Sequence, residues 1–318
     1  MKKHILSFLE YCEVTKNQSD KTLENYRHYL DRFQEFLEQN RTPDLPPKKI
    51  TLKLINDYRL FLNRYTSRTT PSSKQKPLSP KTQNYHVIAL RALLKFLTKN
   101  DIETLAPEKI ELPKIPERTV EVLDREELER LFDATDPTTV RGARDLAILE
   151  TLYSTGLRVS ELASLDRDQI DLKRNEFMVR GKGSKPRIVF LSSHAVAILK
   201  DYIDKRTDHA DPLFINFPRE SKNPDKAKAA PEITNPEKRR LSTVSIQSIV
   251  NKYTRKAGII KKVTPHTLRH TYATQLLING ADIRSVQELL GHASITTTQI
   301  YTHVTNKALR ETHEKFHK

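Results

Sequence analysis

Along residues 4–100 apolar side chains recur at three- and four-residue steps, the spacing of a single stripe on a helix. Ile5, Leu6, Phe8 and Leu9 predict a first short helix. Ser19 can cap a second, which carries Leu23, Tyr26, Leu30, Phe33 and Leu37. After a loop rich in Pro and Lys (Thr42–Lys49), Leu54, Ile55, Tyr58, Leu62 and Tyr65 mark a third. Ser79-Pro80 joins a capping hydroxyl to a proline whose missing N–H costs nothing at a helix start. It opens a fourth helix with Tyr85, Ile88, Leu93, Leu94, Phe96 and Leu97. The polar stretch Thr66–Leu78 before it predicts a mobile loop. Four such helices make a compact bundle. Pro107, Pro113 and Pro116 among Lys and Glu then predict an extended linker over residues 106–119, between a first domain (1–105) and a second (120–318).

The second domain opens on Asp124-Arg-Glu-Glu127, a cap followed by acidic first-turn residues. Leu146, Ile148, Leu149 and Leu152 predict a helix that stops at Gly156, and a short segment with Arg158 and Glu161 follows. The period then changes. Gln169–Leu172, Glu176–Gly181 and Pro186–Leu191 are short β-branched and apolar runs that predict a small three-stranded antiparallel sheet, with Lys182 at the tip of its last hairpin. Helices resume over His194–Lys205. Phe217–Arg240, with four prolines and little apolar content, predicts an insertion without structure of its own. Ser242 or Thr243 caps a further helix through Tyr253. Thr264-Pro265 starts another, Gly280 and Gly291 end two in succession, and Ser294 is a candidate cap for the segment that delivers Tyr301. The last amphipathic residues, Asn306–Lys318, are too few for a helix stable alone and are expected to dock on another surface. The fold class is mainly α with one small sheet.

Composition narrows the function. In 318 residues, 36% are hydrophobic and 30% charged, and no apolar run approaches the roughly 20 residues of a membrane span. The N-terminus turns charged too soon for a signal peptide. The single cysteine, Cys12, excludes an internal disulfide and a thiolate zinc cluster, which points to a reduced, cytoplasmic setting. A net charge of +15, shared by both halves, favours a polyanion, with the two domains closing on one duplex. The plainer reading is charge for solubility alone.

Arg158, Lys182, His266, Arg269, His292 and Tyr301 stand out as chemistry. Two guanidinium forks match the non-bridging oxygens of one phosphate. A tyrosine hydroxyl can attack as a nucleophile, a lysine on a hairpin tip can protonate a leaving alkoxide, and a histidine can take the tyrosine proton. No acidic cluster is available for a two-metal nuclease site, so no cofactor or metal is expected. Each residue also has a plainer role: Arg158 as a salt-bridge partner of Glu161, Lys182 as a solvated turn residue, His266 as a helix cap, His292 as a partner of a helix dipole, Tyr301 as half-buried core.

The combination resembles the tyrosine recombinase (phage integrase) family, most closely its Xer-like members. The motifs are Thr155-Gly-Leu-Arg-Val-Ser-Glu-Leu162, Gly181-Lys-Gly-Ser-Lys-Pro-Arg187, Thr264-Pro-His-Thr-Leu-Arg-His270 and Leu289-Leu-Gly-His-Ala-Ser-Ile-Thr-Thr-Thr-Gln-Ile-Tyr-Thr-His303. The resemblance implies a SAM-like DNA-binding bundle followed by an α-rich catalytic domain. It implies that Arg158 and Arg269 hold the scissile phosphate, Lys182 acts as general acid, and His266 assists as acid/base. His292 would hydrogen-bond the phosphate, Tyr301 would form a 3′-phosphotyrosyl link, and Glu161 would support the site from behind. It further implies double-stranded DNA as substrate, and a homotetramer, or a heterotetramer with a second recombinase, on two DNA sites. A tail docked in the neighbouring protomer and exchange through a Holliday junction follow, and a DNA translocase is a possible further partner. The longer 217–240 segment is shared with integron-type integrases, which leaves a mobile-element integrase as the alternative to an Xer-like resolver of chromosome or plasmid dimers. A non-catalytic DNA-binding regulator and a type IB topoisomerase are more distant readings.

Overall fold

The computed structural model describes residues 1–67, 76–113, 120–181, 186–217 and 236–301. The chain forms two compact units, residues 1–118 and 119–318, each with its own core.

The first unit is built on four helices: α1 (Lys2–Val14), α2 (Asp20–Gln39), α3 (Leu52–Arg64) and α4 (Pro80–Lys99). The stripes read from the sequence are the faces that meet. Leu30, Phe33 and Leu37 of α2, Ile55, Tyr58 and Leu62 of α3, and Leu90, Leu93, Leu94 and Leu97 of α4 are buried together. Thr51 and Ser79 cap α3 and α4 by accepting from the N–H groups of Leu54 and Thr82. Ser19 departs from expectation. It occupies the N-cap of α2, but its hydroxyl pairs with the Thr22 hydroxyl at 3.1 Å and makes no backbone cap bond. The Thr66–Leu78 loop holds one small hairpin, β1 (Thr66–Ser67) against β2 (Lys76–Pro77), and its residues 68–75 lie outside the described set. Within the predicted linker, Pro107–Lys109 forms a turn of 3₁₀ helix, and Ile110 is buried in the bundle core. The chain therefore stays on the bundle past the first of the three prolines.

The second unit combines helices with a three-stranded antiparallel sheet of β3 (Ile170–Asp171), β4 (Glu176–Arg180) and β5 (Pro186–Phe190) in that order. Its helices are α5 (Arg125–Asp133), α6 (Val140–Thr155), α7 (Val159–Ala163), α8 (Ser193–Asp204), α9 (Thr243–Lys256), α10 (Pro265–Ile278), α11 (Ile283–Leu290) and α12 (Thr296–Gln299). The predicted cap of α5 is present and closes as a capping box: Asp124 accepts from the Glu127 N–H, and Glu127 accepts from the Asp124 N–H. Ser242 is the cap of α9. α6 runs through the middle of the unit and packs on α8 and α10, with Ile148, Leu149 and Leu152 fully buried.

Strand register sets one functional side chain. Phe177 pairs with Val189, Met178 with Ile188, and Val179 with Arg187. Alternation sends Phe177, Val179 and Val189 inward, while Met178, Ile188 and Phe190 lie exposed on the other face. Arg187 shares the parity of Val189, so its guanidinium enters the unit. The 217–240 segment yields a 3₁₀ turn at Pro236–Arg239 and a bridge from Arg240 to Ile215, and its residues 218–235 are outside the described set. So are Asn306–Lys318. No helix among the described residues is long and apolar enough to cross a membrane.

Candidate active site

The site gathers around the C-terminal end of α11. A helix leaves its last carbonyls without internal partners and carries partial negative charge there, which suits cations. Three arginines from three other elements supply them. Arg187 of β5 donates to Leu289 O at 3.3 Å, Arg269 of α10 to Leu290 O at 2.7 Å, and Arg158 before α7 to Gly291 O at 3.1 Å. The second Arg269 amine donates to Gly156 O at 2.5 Å, so the turns after α6 and α11 are tied to one side chain. Both turns need glycine. Gly156 and Gly291 have φ of +59° and +63°, and a Cβ would lie 2.5 Å from Tyr272 Cδ1 at the first and 2.9 Å from Arg187 Cδ at the second.

One carboxylate balances these cations. Glu161 lies at the third position of α7 and reaches back to accept the Arg158 N–H at 2.9 Å and its guanidinium at 2.8 Å. Arg187 binds both of its oxygens, at 3.0 and 2.8 Å. Burial alone would raise this carboxyl, but the hydrogen bonds from Arg187 and Arg158 prevail and hold it at about 2. Among the described groups in contact here, three guanidiniums face one carboxylate, an excess of positive charge. Arg269 carries the strain of that excess: burial, then the like charge of Arg158, pushes it down to about 10, still protonated at neutral pH.

The remaining groups come from α10 and from the chain after α11. Thr264 caps α10 with its hydroxyl on the Thr267 N–H, Pro265 occupies the first turn, and His266 and Arg269 follow on one face. His266 is exposed, whereas Arg269 is buried. Gly291 in the left-handed conformation turns the chain after α11 so that His292 and Tyr301 come back to the site. The His292 Nδ1 pairs with the buried Thr298 hydroxyl at 2.9 Å. Burial, then Arg269 and Arg158, pushes His292 down to about 4, so it is neutral at physiological pH. A Thr298 hydroxyl that donates to Nδ1 would fix the tautomer with the proton on Nε2, a donor for an anion. The Tyr301 ring lies parallel to that of His292 at 6.5 Å and is buried among Ala273, Val286 and Leu290. Burial raises its hydroxyl pKa, and Arg269 and Arg158 oppose the rise. Ser294 does not cap α12. Its hydroxyl meets the Thr296 hydroxyl, and Ile295 holds the N-cap position.

Residues 121–308 match the phage integrase family, and residues 5–109 match the phage integrase SAM-like domain. The chain belongs to the phage integrase family and is a tyrosine recombinase. It is 37% identical to tyrosine recombinase XerC of Oceanobacillus iheyensis, over 99% of this chain and 95% of that one. Tyrosine recombinase XerD of Listeria innocua is 34% identical, over 98% and 97%. Two solved structures share the fold at lower identity. XerH site-specific recombinase bound to palindromic difH substrate is 22% identical, with a TM-score of 0.68 over 99% of this chain and 85% of that one. The Tn1549 transposon integrase in complex with transposon right end DNA is 19% identical, with a TM-score of 0.70 over 99% of each chain.

In this tyrosine recombinase the structure brings together Arg158, Glu161, Arg269, His292 and Tyr301, with His266 at the exposed edge on the same helix as Arg269. Lys182, predicted at a hairpin tip, lies outside the described residues. The salt bridge offered as the plain reading of Arg158 is real, and so is the core position of Tyr301. Three residues emerge only here: Arg187, which joins β5 to Glu161; Thr298, which holds His292; and His270, whose Nδ1 lies 2.8 Å from the Tyr301 hydroxyl. Arg187 and His270 close two of the quoted motifs, but nothing in their local spacing separates them from surface charges.

Proposed function

We propose that this recombinase performs site-specific DNA strand exchange in the Xer manner, through a covalent 3′-phosphotyrosyl intermediate at Tyr301. The observation that carries the reading is the convergence of Arg158, Arg269, His292 and Tyr301 at the end of α11 with Glu161 as the carboxylate among them. A phosphodiester brings the negative charge such a site lacks, and both guanidiniums can exchange a carbonyl for a phosphate oxygen. Tyr301 Oη attacks phosphorus, the P–O5′ bond breaks, and Lys182 protonates the departing O5′. Arg158, Arg269 and the Nε2–H of His292 stabilise the charge that builds on the non-bridging oxygens. His266, at the open edge, assists proton transfer. The phosphotyrosyl ester conserves the bond, so a 5′-hydroxyl from another duplex can reseal it without a nucleotide or a metal.

The protein would work as four protomers on two duplexes, alone or with a second recombinase, with the tail after Tyr301 docked in the next protomer. It would resolve chromosome or plasmid dimers in the cytoplasm, with a DNA translocase as a candidate regulator. The overall basic charge supports DNA as partner. Incubating the protein with host DNA in EDTA, trapping covalent adducts and sequencing them tests the reading. One chromosomal site is expected, and Tyr301→Phe should trap nothing. Adducts formed by Tyr301→Phe would refute the nucleophile, and adducts spread over many mobile-element ends would refute the dimer-resolving role. Lys182→Ala should slow cleavage, and a 5′-phosphorothiolate substrate, whose thiolate leaves unprotonated, should restore it.

A further inference from the structure

The hydroxyl of Tyr301 is held by a histidine that is neither His266 nor His292. His270 follows Arg269 on α10, one turn beyond His266. Its Nδ1 lies 2.8 Å from Tyr301 Oη, and its ring packs against the Tyr301 ring at 5.4 Å between centroids. His270 is half-buried, whereas His266 is exposed, with 6.3 Å between the two rings. His266 thus lies toward solvent, and His270 lies on the Tyr301 hydroxyl. From the chain after α11, Tyr301 and His292 face this region, and from its own helix His266 and Arg269 do.

We infer that His270 is the base that takes the proton of Tyr301 during DNA cleavage and returns it during resealing. The inference rests on Tyr301 being the nucleophile. In cleavage the Tyr301 Oη–P bond forms and P–O5′ breaks, with its electron pair going to O5′. The phenol proton moves to His270 Nδ1, and O5′ receives a proton from the general acid. In resealing, an incoming 5′-hydroxyl gives its proton to that acid in its neutral form and attacks phosphorus. The Oη–P bond breaks, and the imidazolium of His270 returns its proton to Oη. Tyr301 needs such a partner, because its hydroxyl is buried and a phenol is largely un-ionised at neutral pH. With the proton acceptor already in hydrogen-bond contact, the nucleophile is ready before substrate binds.

His270→Asn tests this in the full-length protein, since the amide oxygen can still accept a hydrogen bond near the place of Nδ1 but cannot hold a proton. On a nicked suicide substrate, the rate of covalent adduct formation at neutral pH should fall by roughly 10²–10⁴-fold, the usual size of a general-base contribution. It should climb again as pH rises toward the phenol range. Replacing Tyr301 by a ring-fluorinated tyrosine, whose phenol ionises more readily, should bring His270→Asn close to the rate of the same chain with His270, which also shows that the variant folds. Adduct formation by His270→Asn at the wild-type rate would overturn the proposal. So would a loss that fluorination leaves unchanged, since that marks a residue that only positions the ring. An adduct from Tyr301→Phe would strike instead at the nucleophile.

Discussion

Glu161→Gln keeps the shape of the side chain and removes its charge, and it isolates what the arginine network contributes. The carboxyl receives four hydrogen bonds, two from Arg158 and two from Arg187, and its side chain is only 6% exposed. Its pKa of about 2 lies below the ordinary 4.5. At about 1.4 kcal/mol per unit, the folded state favours the ionised form by roughly 3 kcal/mol. That agrees with the 3–5 kcal/mol typical of breaking a buried pair and stranding its partner, here Arg187. For a unit of about 200 residues such a loss lowers the thermal midpoint by about 6–12 °C. The sign with pH follows from a depressed carboxyl: its stabilisation is complete above the ordinary value and vanishes as pH falls through the folded one. The gap between wild type and Glu161→Gln should therefore be full at pH 7 and shrink between about pH 5 and pH 2. Thermal melts followed by circular dichroism across that range, with hydrogen exchange to confine the change to residues 119–318, would measure it. A difference under about 1 kcal/mol at pH 7, or one indifferent to pH, would refute the network argument.

Gly156→Ala should cost at least about 2 kcal/mol, because the left-handed backbone disfavours a Cβ and Tyr272 already fills its place. Since Gly156 O anchors Arg269, adduct formation should fall along with the melting temperature, and a melt unchanged within error would contradict the geometry. His292 stays neutral to about pH 4 when folded, so the unfolded chain takes up its proton first as pH drops below the ordinary 6.5. Stability should fall from pH 6.5 to 4 for this reason, and His292→Asn should flatten that part of the profile in calorimetry.

The helices were legible in the sequence because their signals are local. A stripe at 3.6-residue spacing, a Ser-Pro or Thr-Pro start and a glycine stop act within a few residues of each other, and α4, α9 and α10 begin, and α6 and α11 end, where such signals place them. The exceptions were hydroxyls with a second choice: Ser19 and Ser294 bond to neighbouring hydroxyls. Family motifs made Arg158, His266, Arg269, His292 and Tyr301 visible together. Only tertiary structure decided what each touches. Arg187 matters because register turns it inward onto Glu161, a residue 26 positions away. His270 matters because the turn at Gly291 carries Tyr301 back across 31 positions to α10. Local pattern cannot encode such meetings, since they depend on how two elements pack and not on what either is. The same holds for the end of α11, where three arginines scattered from Arg158 to Arg269 find successive carbonyls of one helix.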